Sequence, residues 1–362
     1  MKIKELLPLI RINGRTVYDE EKDALFFNWT CAGFSFGLKG KQIKAKVTAY
    51  PNLVPAMPNM PQPPEDWPCI ALAIDEQREL FFRQEIREEG WLTLWKTENV
   101  EEHEFRILKL SENARGKLGI IELEVDGEIY KIKNNKKRIE IVGDSITCGF
   151  GNEAKPDSFD FHTIEENGWT SYAAIAARKL KYDFSMICES GIQAVKAEHP
   201  LWDMHSMKDI YKYTDELYDN QMNRKLTLWD FENNHNDIVV LNLGTNDMNP
   251  IKFENDFSLI EPKEKWFHEK YKEFILEVRK LNGPETYILC SLGSMDYYLY
   301  HHIKEVVQEI IEETNDNKIF SFEYLPLNVF LEGIGAAGHP SQKTHDRMAN
   351  ELVNYIKKFI GE

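Results

Sequence analysis

Over residues 1–133 the apolar side chains tend to recur at every second position. Ile43, Ala45, Val47 and Ala49 alternate with Gln42, Lys44, Lys46 and Thr48, and Ile121, Leu123 and Val125 alternate with Glu122 and Glu124. Side chains on a strand point to opposite faces in turn, so this period predicts half-buried strands. Phe26-Phe27-Asn28-Trp29 and Trp91-Leu92-Thr93-Leu94-Trp95 are rich in strand formers, and Asp126-Gly127 predicts a hairpin turn because glycine tolerates positive φ. Many short strands with turn signals predict a β-sandwich or jelly roll. Seven prolines between Pro51 and Pro68 exclude a central strand or a helix there and predict a loop.

Past Lys137 the period changes. Ile139 to Val142 and Ile238 to Leu241 are short apolar runs that predict buried strands, each followed by a glycine-containing turn. Asp183–Ile187, Thr286–Cys290 and Lys318–Phe322 predict further strands. Helices are predicted over Trp169–Leu180, Lys263–Leu281, His301–Glu313 and Ser341–Ile360, the last with Met348, Leu352, Ile356 and Phe359 on one face. Strands alternating with helices predict an α/β domain over residues 137–362, with a parallel sheet covered on both faces. Asn134-Asn135-Lys136-Lys137 is a short polar run that reads as the linker between the two domains. Lys196–Asn236 is polar, aromatic and irregular, and reads as an insertion near the site.

A chain of 362 residues suits two domains, and 42% apolar content can bury a sizeable core. The net charge of −16 repels phosphate backbones and anionic lipid surfaces, which argues against nucleic-acid and membrane partners. Five widely spaced cysteines (Cys31, Cys69, Cys148, Cys188 and Cys290) suggest neither a disulfide framework nor a thiolate zinc site. The apolar part of residues 1–11 is broken by Pro8 and too short for a signal peptide, and no apolar run approaches the ~20 residues of a membrane helix. A cytoplasmic setting is the expectation.

In an open parallel sheet, ligands bind beyond the carboxyl ends of the strands. Three turns are predicted there. Gly143-Asp144-Ser145-Ile146 can project a serine hydroxyl, although serine after a strand also suits a plain helix cap. Gly191, in Glu189-Ser190-Gly191-Ile192, can present a backbone N–H with no side chain in the way, or be an ordinary turn glycine. Asn246, in Gly244-Thr245-Asn246-Asp247, can aim a carboxamide at a developing oxyanion, or form a local Asx turn. A fourth element, His339-Pro340-Ser341, puts an imidazole just before the last helix, where its neutral form can take a proton from a hydroxyl. The chain has ten histidines, most of which need no special role, and His345 is a lesser candidate for the same task.

The order of these blocks carries more than any one of them. Gly143-Asp144-Ser145-Ile146, Gly191, Gly244-Thr245-Asn246-Asp247 and His339 resemble, in family order, the blocks of the SGNH (GDSL-like) hydrolases. Ile12-Asn13-Gly14-Arg15, Leu289-Cys290-Ser291-Leu292-Gly293-Ser294-Met295 and His339-Pro340-Ser341 extend the likeness to carbohydrate esterase family 2, which joins an N-terminal β-sandwich to an SGNH domain. The resemblance implies a flavodoxin-like, three-layer α/β catalytic domain and removal of O-acetyl groups from carbohydrates. It implies Ser145 as nucleophile, His339 as base, and an oxyanion hole made by the Ser145 and Gly191 backbones and the Asn246 side chain. No metal or cofactor is called for. The implied partner is an acetylated oligosaccharide or another small ester.

One departure matters. The aspartate that such enzymes usually carry three residues before the histidine is Ala336 here, and Ala337 and Gly338 follow. Some family 2 members orient the imidazole with a backbone carbonyl, so a Ser–His dyad is expected, with Glu332 the nearest acidic alternative upstream. Two other readings stay open: a lipase, lysophospholipase or thioesterase acting on a different acyl ester, and a carbohydrate-binding protein with a weak site and exposed aromatics such as Trp202, Trp229 and Tyr298.

Overall fold

The computed structural model describes residues 1–52, 65–133, 136–156, 158, 162–197 and 205–360. Most of the proline-rich loop, Asn134 and Asn135 of the linker, and Trp202 lie outside the described residues. The strands are β1 (Arg11–Asn13), β2 (Val17–Asp19), β3 (Ala24–Phe26), β4 (Gly33–Tyr50), β5 (Cys69–Ile74), β6 (Phe82–Glu85), β7 (Gly90–Lys109), β8 (Lys117–Tyr130), β9 (Arg138–Gly143), β10 (Asp183–Cys188), β11 (Ile238–Asn242), β12 (Tyr287–Leu292) and β13 (Ile319–Glu323). The helices are α1 (Ile3–Leu6), α2 (Ser145–Cys148), α3 (Tyr172–Leu180), α4 (Met207–Ile210), α5 (Glu216–Gln221), α6 (Asn249–Lys252), α7 (Ile260–Asn282), α8 (Tyr300–Thr314), α9 (Val329–Glu332) and α10 (Gln342–Ile360).

The first eight strands pair antiparallel in the order β2-β3-β8-β4-β7-β5-β6, with β1 added to β4. The period-2 reading holds along β4 as far as Val47: Ile43, Ala45 and Val47 are buried, while Lys44 and Lys46 between them are half-buried; past the register shift at Val47 it fails, with Thr48 buried and Ala49 half-buried. The predicted hairpin at Asp126-Gly127 is not a turn. Both residues lie inside β8, where Gly127 faces Gly40 beside a register shift. A Cβ on Gly127 would lie 2.3 Å from the Lys39 carbonyl oxygen, so the glycine serves a close strand approach at a bulge. Strand β3 also ends earlier than its composition suggests. Beyond it the side chains of Asn28 and Trp29 donate to Asp215 (2.6 Å) and to the Thr214 carbonyl (2.8 Å), while Asn28 Oδ1 accepts the Leu118 N–H of β8.

The second sheet is wholly parallel, in the order β10-β9-β11-β12-β13. Numbered from β9, this is 2-1-3-4-5, the flavodoxin-like order. Alternate strand residues fall into different cores. Ile139, Ile141, Met186, Val240 and Leu289 pack with α3 and α10, whereas Val142, Ile187, Val239, Leu241 and Ile288 pack with α7 and α8. Three layers result, as the apolar runs predict. The last helix buries Met348, Leu352 and Ile356 as expected, whereas Phe359, near its end, is exposed. No helix among the described residues is long and apolar enough to cross a membrane, and all five cysteines are free and buried.

The described part of Lys196–Asn236 does two things: His205 and Ser206 lie against Glu189 and Gln193 of the turn that holds Gly191, and the rest clamps the two sheets together. Tyr218 Oη and Arg224 Nη1 both donate to Asp19 at 2.7 Å, and Arg15 donates to the carbonyls of Tyr211 (2.5 Å) and Tyr213 (2.6 Å). Arg15 also pairs with Glu140 of β9 at 3.1 Å, both side chains wholly buried. Glu140 accepts in addition from Ser185 and Tyr211. A buried pair of this kind contributes little net stability, but removing one partner strands the other charge. Arg15→Ala is therefore expected to cost about 3–5 kcal/mol and to lower the melting temperature markedly. Unchanged thermal unfolding of the variant would contradict this account of the clamp.

Candidate active site

Strand β9 has β10 on one side and β11 on the other, so the chain reverses its direction of travel across the sheet there. The turns that follow these three neighbouring strands hold Ser145, Gly191 and Asn246. Such a switch point leaves a crevice at the strand ends.

Asp144, not Ser145, caps the short helix α2: its carboxylate accepts the Ile146 N–H at 3.0 Å. Ser145 is the first residue of α2 and is mostly buried, with its hydroxyl facing the histidine loop. Gly149 closes the helix in the left-handed region (φ 79°), and Phe150 follows.

The histidine loop, 194 residues downstream, reaches the same point. His339 Nε2 lies 2.9 Å from Ser145 Oγ, and its Nδ1 lies 3.0 Å from the Ala336 carbonyl oxygen. A carbonyl can only accept, so that contact places the ring proton on Nδ1 and leaves the Nε2 lone pair facing the hydroxyl. The Ala336 carbonyl also accepts the His339 backbone N–H at 2.9 Å, and the Ala336 N–H donates to the Gly151 carbonyl at 3.1 Å. Gly151 sits at φ 53°, and a Cβ there would lie 2.3 Å from that of Ala336. Phe150 lays its ring against the imidazole, with centroids 4.3 Å apart. Burial of this ring lowers the His339 pKa to about 4 against the partial opposition of the backbone contacts at Ala336 and Ala337, so the imidazole is neutral at pH 7.

Glu332 does not serve the imidazole. Its carboxylate accepts from Thr344 Oγ1 (2.9 Å) and from Arg347 Nε (2.6 Å). His345 is buried away from Ser145 and accepts the Tyr172 N–H at Nδ1 (3.1 Å), with its pKa pushed down to about 3 by burial.

Gly191 occupies the left-handed region (φ 79°) in an exposed turn, and no atom lies within 4 Å of where a Cβ would stand. Asn246 is tied to that turn: its Nδ2 donates to the Ile192 carbonyl at 3.0 Å, which leaves its second amide hydrogen for another acceptor. Asp247, the next residue, accepts the Ala194 and Val195 N–H groups at 2.8 and 3.1 Å. The two turns are thus held as one unit. Local sequence gave no signal for Phe150, which contacts the imidazole through chain folding alone. Trp229 is not an exposed aromatic, since it covers the Arg15 guanidinium at 5.4 Å, whereas Tyr298 is exposed.

Such an arrangement can move a proton from a hydroxyl to an imidazole beside a group of amide donors. The sequence profile of the GDSL-like Lipase/Acylhydrolase family matches residues 139–352, which include all of the parallel sheet but its first residue, Arg138, and all four blocks. The chain belongs to this family.

Relatives of this GDSL-like esterase are carbohydrate esterases of family 2. The chain is 35% identical over 234 residues to the cellulase/esterase CelE of Acetivibrio thermocellus; the match takes in 62% of this chain and 26% of that protein, so this chain spans only about a quarter of that relative. A family two carbohydrate esterase from Clostridium thermocellum, solved in complex with cellohexaose, superimposes with a TM-score of 0.81 at 25% identity, covering 97% of this chain and 99% of that one. The acetyl xylan esterase Est2A of the rumen bacterium Butyrivibrio proteoclasticus superimposes with a TM-score of 0.85 at 21% identity, over 100% of this chain and 98% of that one.

Proposed function

We propose that this GDSL-like hydrolase removes acetyl groups from carbohydrate hydroxyls through a Ser145–His339 dyad. The observation that carries the reading is the 2.9 Å approach of His339 Nε2 to Ser145 Oγ, with Nδ1 held by a main-chain carbonyl. Ser145 Oγ attacks the acetyl carbonyl carbon as its proton passes to Nε2. The oxyanion accepts from the Ser145 and Gly191 N–H groups and the free amide hydrogen of Asn246. Collapse of the intermediate expels the sugar oxygen, which takes the proton from Nε2. Water then repeats the sequence on the acetyl-enzyme, releasing acetate and restoring the hydroxyl. The Ala336 carbonyl performs the orienting task of the usual aspartate. This chain's own residues account for each step without a metal or cofactor.

The carbohydrate substrate rests on the relatives: one neighbour is solved with cellohexaose and another is named an acetyl xylan esterase. The test is a panel of chromogenic acyl esters together with acetylated oligosaccharides. Acetyl is expected to be strongly preferred over octanoyl, with acetate released from the sugars. The reverse preference would move the reading to a lipase or thioesterase.

The same proposal sets the domains at residues 1–133 and 137–362, the first as a jelly roll, a reading supported by the register shifts between the 18-residue strand β4 and the 20-residue strand β7. A cytoplasmic address also belongs to it, supported by five free, buried thiols. Cell fractionation tests that address.

The lowered pKa of His339 gives a pH signature. Protonating Nε2 removes the lone pair that the base needs, so activity falls as pH drops through the folded-state pKa and is flat above it. With that pKa at about 4, kcat/KM for an acetate ester is expected to hold its plateau through pH 6 and fall only toward pH 4. An acidic limb near the ordinary imidazole value would mean that burial does not depress this pKa, and a limb well above it would mean that a carboxylate supports the imidazole, which would contradict the dyad.

A further inference from the structure

The loop between β7 and β8, in the antiparallel sheet, enters the floor of this site. Its Glu112 is 1% exposed. One carboxylate oxygen, Oε2, accepts the Ser190 backbone N–H at 2.5 Å and faces the Cys148 thiol at 3.6 Å. Ser190 immediately precedes Gly191, and Cys148 ends the helix that Ser145 begins. The main chain of Glu112 is fixed as well: its N–H donates to Glu166 at 2.9 Å, and its carbonyl accepts from the Lys109 ammonium. Arg115, three residues on, lies near both carboxylates, 3.4 Å from Glu112 and 3.5 Å from Glu166. Its guanidinium also sits 5.7 Å over the ring of Phe150, and that ring packs on His339.

We propose that Glu112 is a positioning residue through which the antiparallel domain sets the geometry of the hydrolytic site. The inference rests on the Ser145–His339 reading above. One carboxylate oxygen spans the Gly191 turn and the nucleophile helix, so it fixes the distance between two of the oxyanion donors. Burying a carboxylate is costly unless charged and hydrogen-bonding partners surround it. Here those partners are the backbone of one catalytic turn, the end of the nucleophile helix, and an arginine that leads to the base. Asn246 braces the same turn from the other side, at Ile192. With the Ser190 N–H released, the Gly191 turn would lose its tie to the antiparallel domain and keep those to Asn246 and, through Glu189, to His205. A shift of about 1 Å in a donor can cost a hundredfold in rate.

Three variants test this with a chromogenic acetate ester. Glu112→Ala is expected to lower kcat about 10- to 100-fold with KM within twofold. Glu112→Gln keeps an acceptor for the Ser190 N–H and is expected to recover most of that loss. Asn13→Ala removes a contact between the two sheets, Asn13 of β1 to Asp183 at the start of β10, the end of that strand opposite the Gly191 turn, and serves as the control for a loosened domain contact. It is expected to keep kcat even where its melting temperature falls as far as that of Glu112→Ala. The proposal is overturned if Glu112→Ala keeps kcat within twofold, if Gln recovers nothing, or if Asn13→Ala slows turnover equally. Failure of the esterase reading itself is separate and shows as turnover surviving Ser145→Ala.

Discussion

Ser145→Ala is expected to lower turnover of a chromogenic acetate ester by about 10⁴- to 10⁶-fold while leaving the melting temperature within a few degrees. Among the described residues the hydroxyl bonds to His339 Nε2, so its loss removes chemistry and little packing. His339→Ala is expected to fall as far, and the double variant no further, because nucleophile and base act as one unit. Glu332→Ala separates a dyad from a triad. Its carboxylate is bound to Arg347 and Thr344, so the variant is expected to lose stability but keep kcat within severalfold. A loss at Glu332 equal to that at His339 would contradict the dyad, as would turnover surviving in Ser145→Ala.

Asn246→Ala is expected to lower kcat by about 10²- to 10³-fold with little change in KM. Its amide has two hydrogens, and only one is taken by the Ile192 carbonyl. On the proposed mechanism the other donates to the developing oxyanion, so it acts on the transition state more than on the bound ester. Asn246→Asp keeps the shape but replaces the donor with an acceptor, and is expected to be at least as slow. Stopped-flow measurement of the burst and steady state checks both. A variant with unchanged kcat and raised KM would make Asn246 a ground-state binder and remove it from the oxyanion hole.

Much of the parallel sheet could be read from the chain because strands buried on both faces leave continuous apolar runs. Ile139 to Val142 and Ile238 to Leu241 are both strands, and Met348, Leu352 and Ile356 mark the buried face of the last helix. The antiparallel half was legible in kind but not in detail. Asp126-Gly127 carries a hairpin signature, yet its glycine is used where two backbones approach inside β8. Local patterns record which face of a strand is wet, not which strand lies beside it. The same limit governs the site. Ser145 and His339 are 194 residues apart, and only the order of the family blocks suggested that they meet. Phe150 and Glu112 were invisible because their positions depend on the packing of separate elements. Ala336 was legible only as a missing carboxylate; the carbonyl in its place belongs to every residue and leaves no mark in a sequence.

The most direct measurement is covalent. The protein is treated with an organophosphate ester that traps activated serines, then digested and analysed by mass spectrometry. A single adduct on Ser145 is expected, blocked by prior acetate-ester turnover under burst conditions and absent in His339→Ala. An intact, unmodified Ser145, or an adduct that forms equally well without the imidazole, would contradict the account.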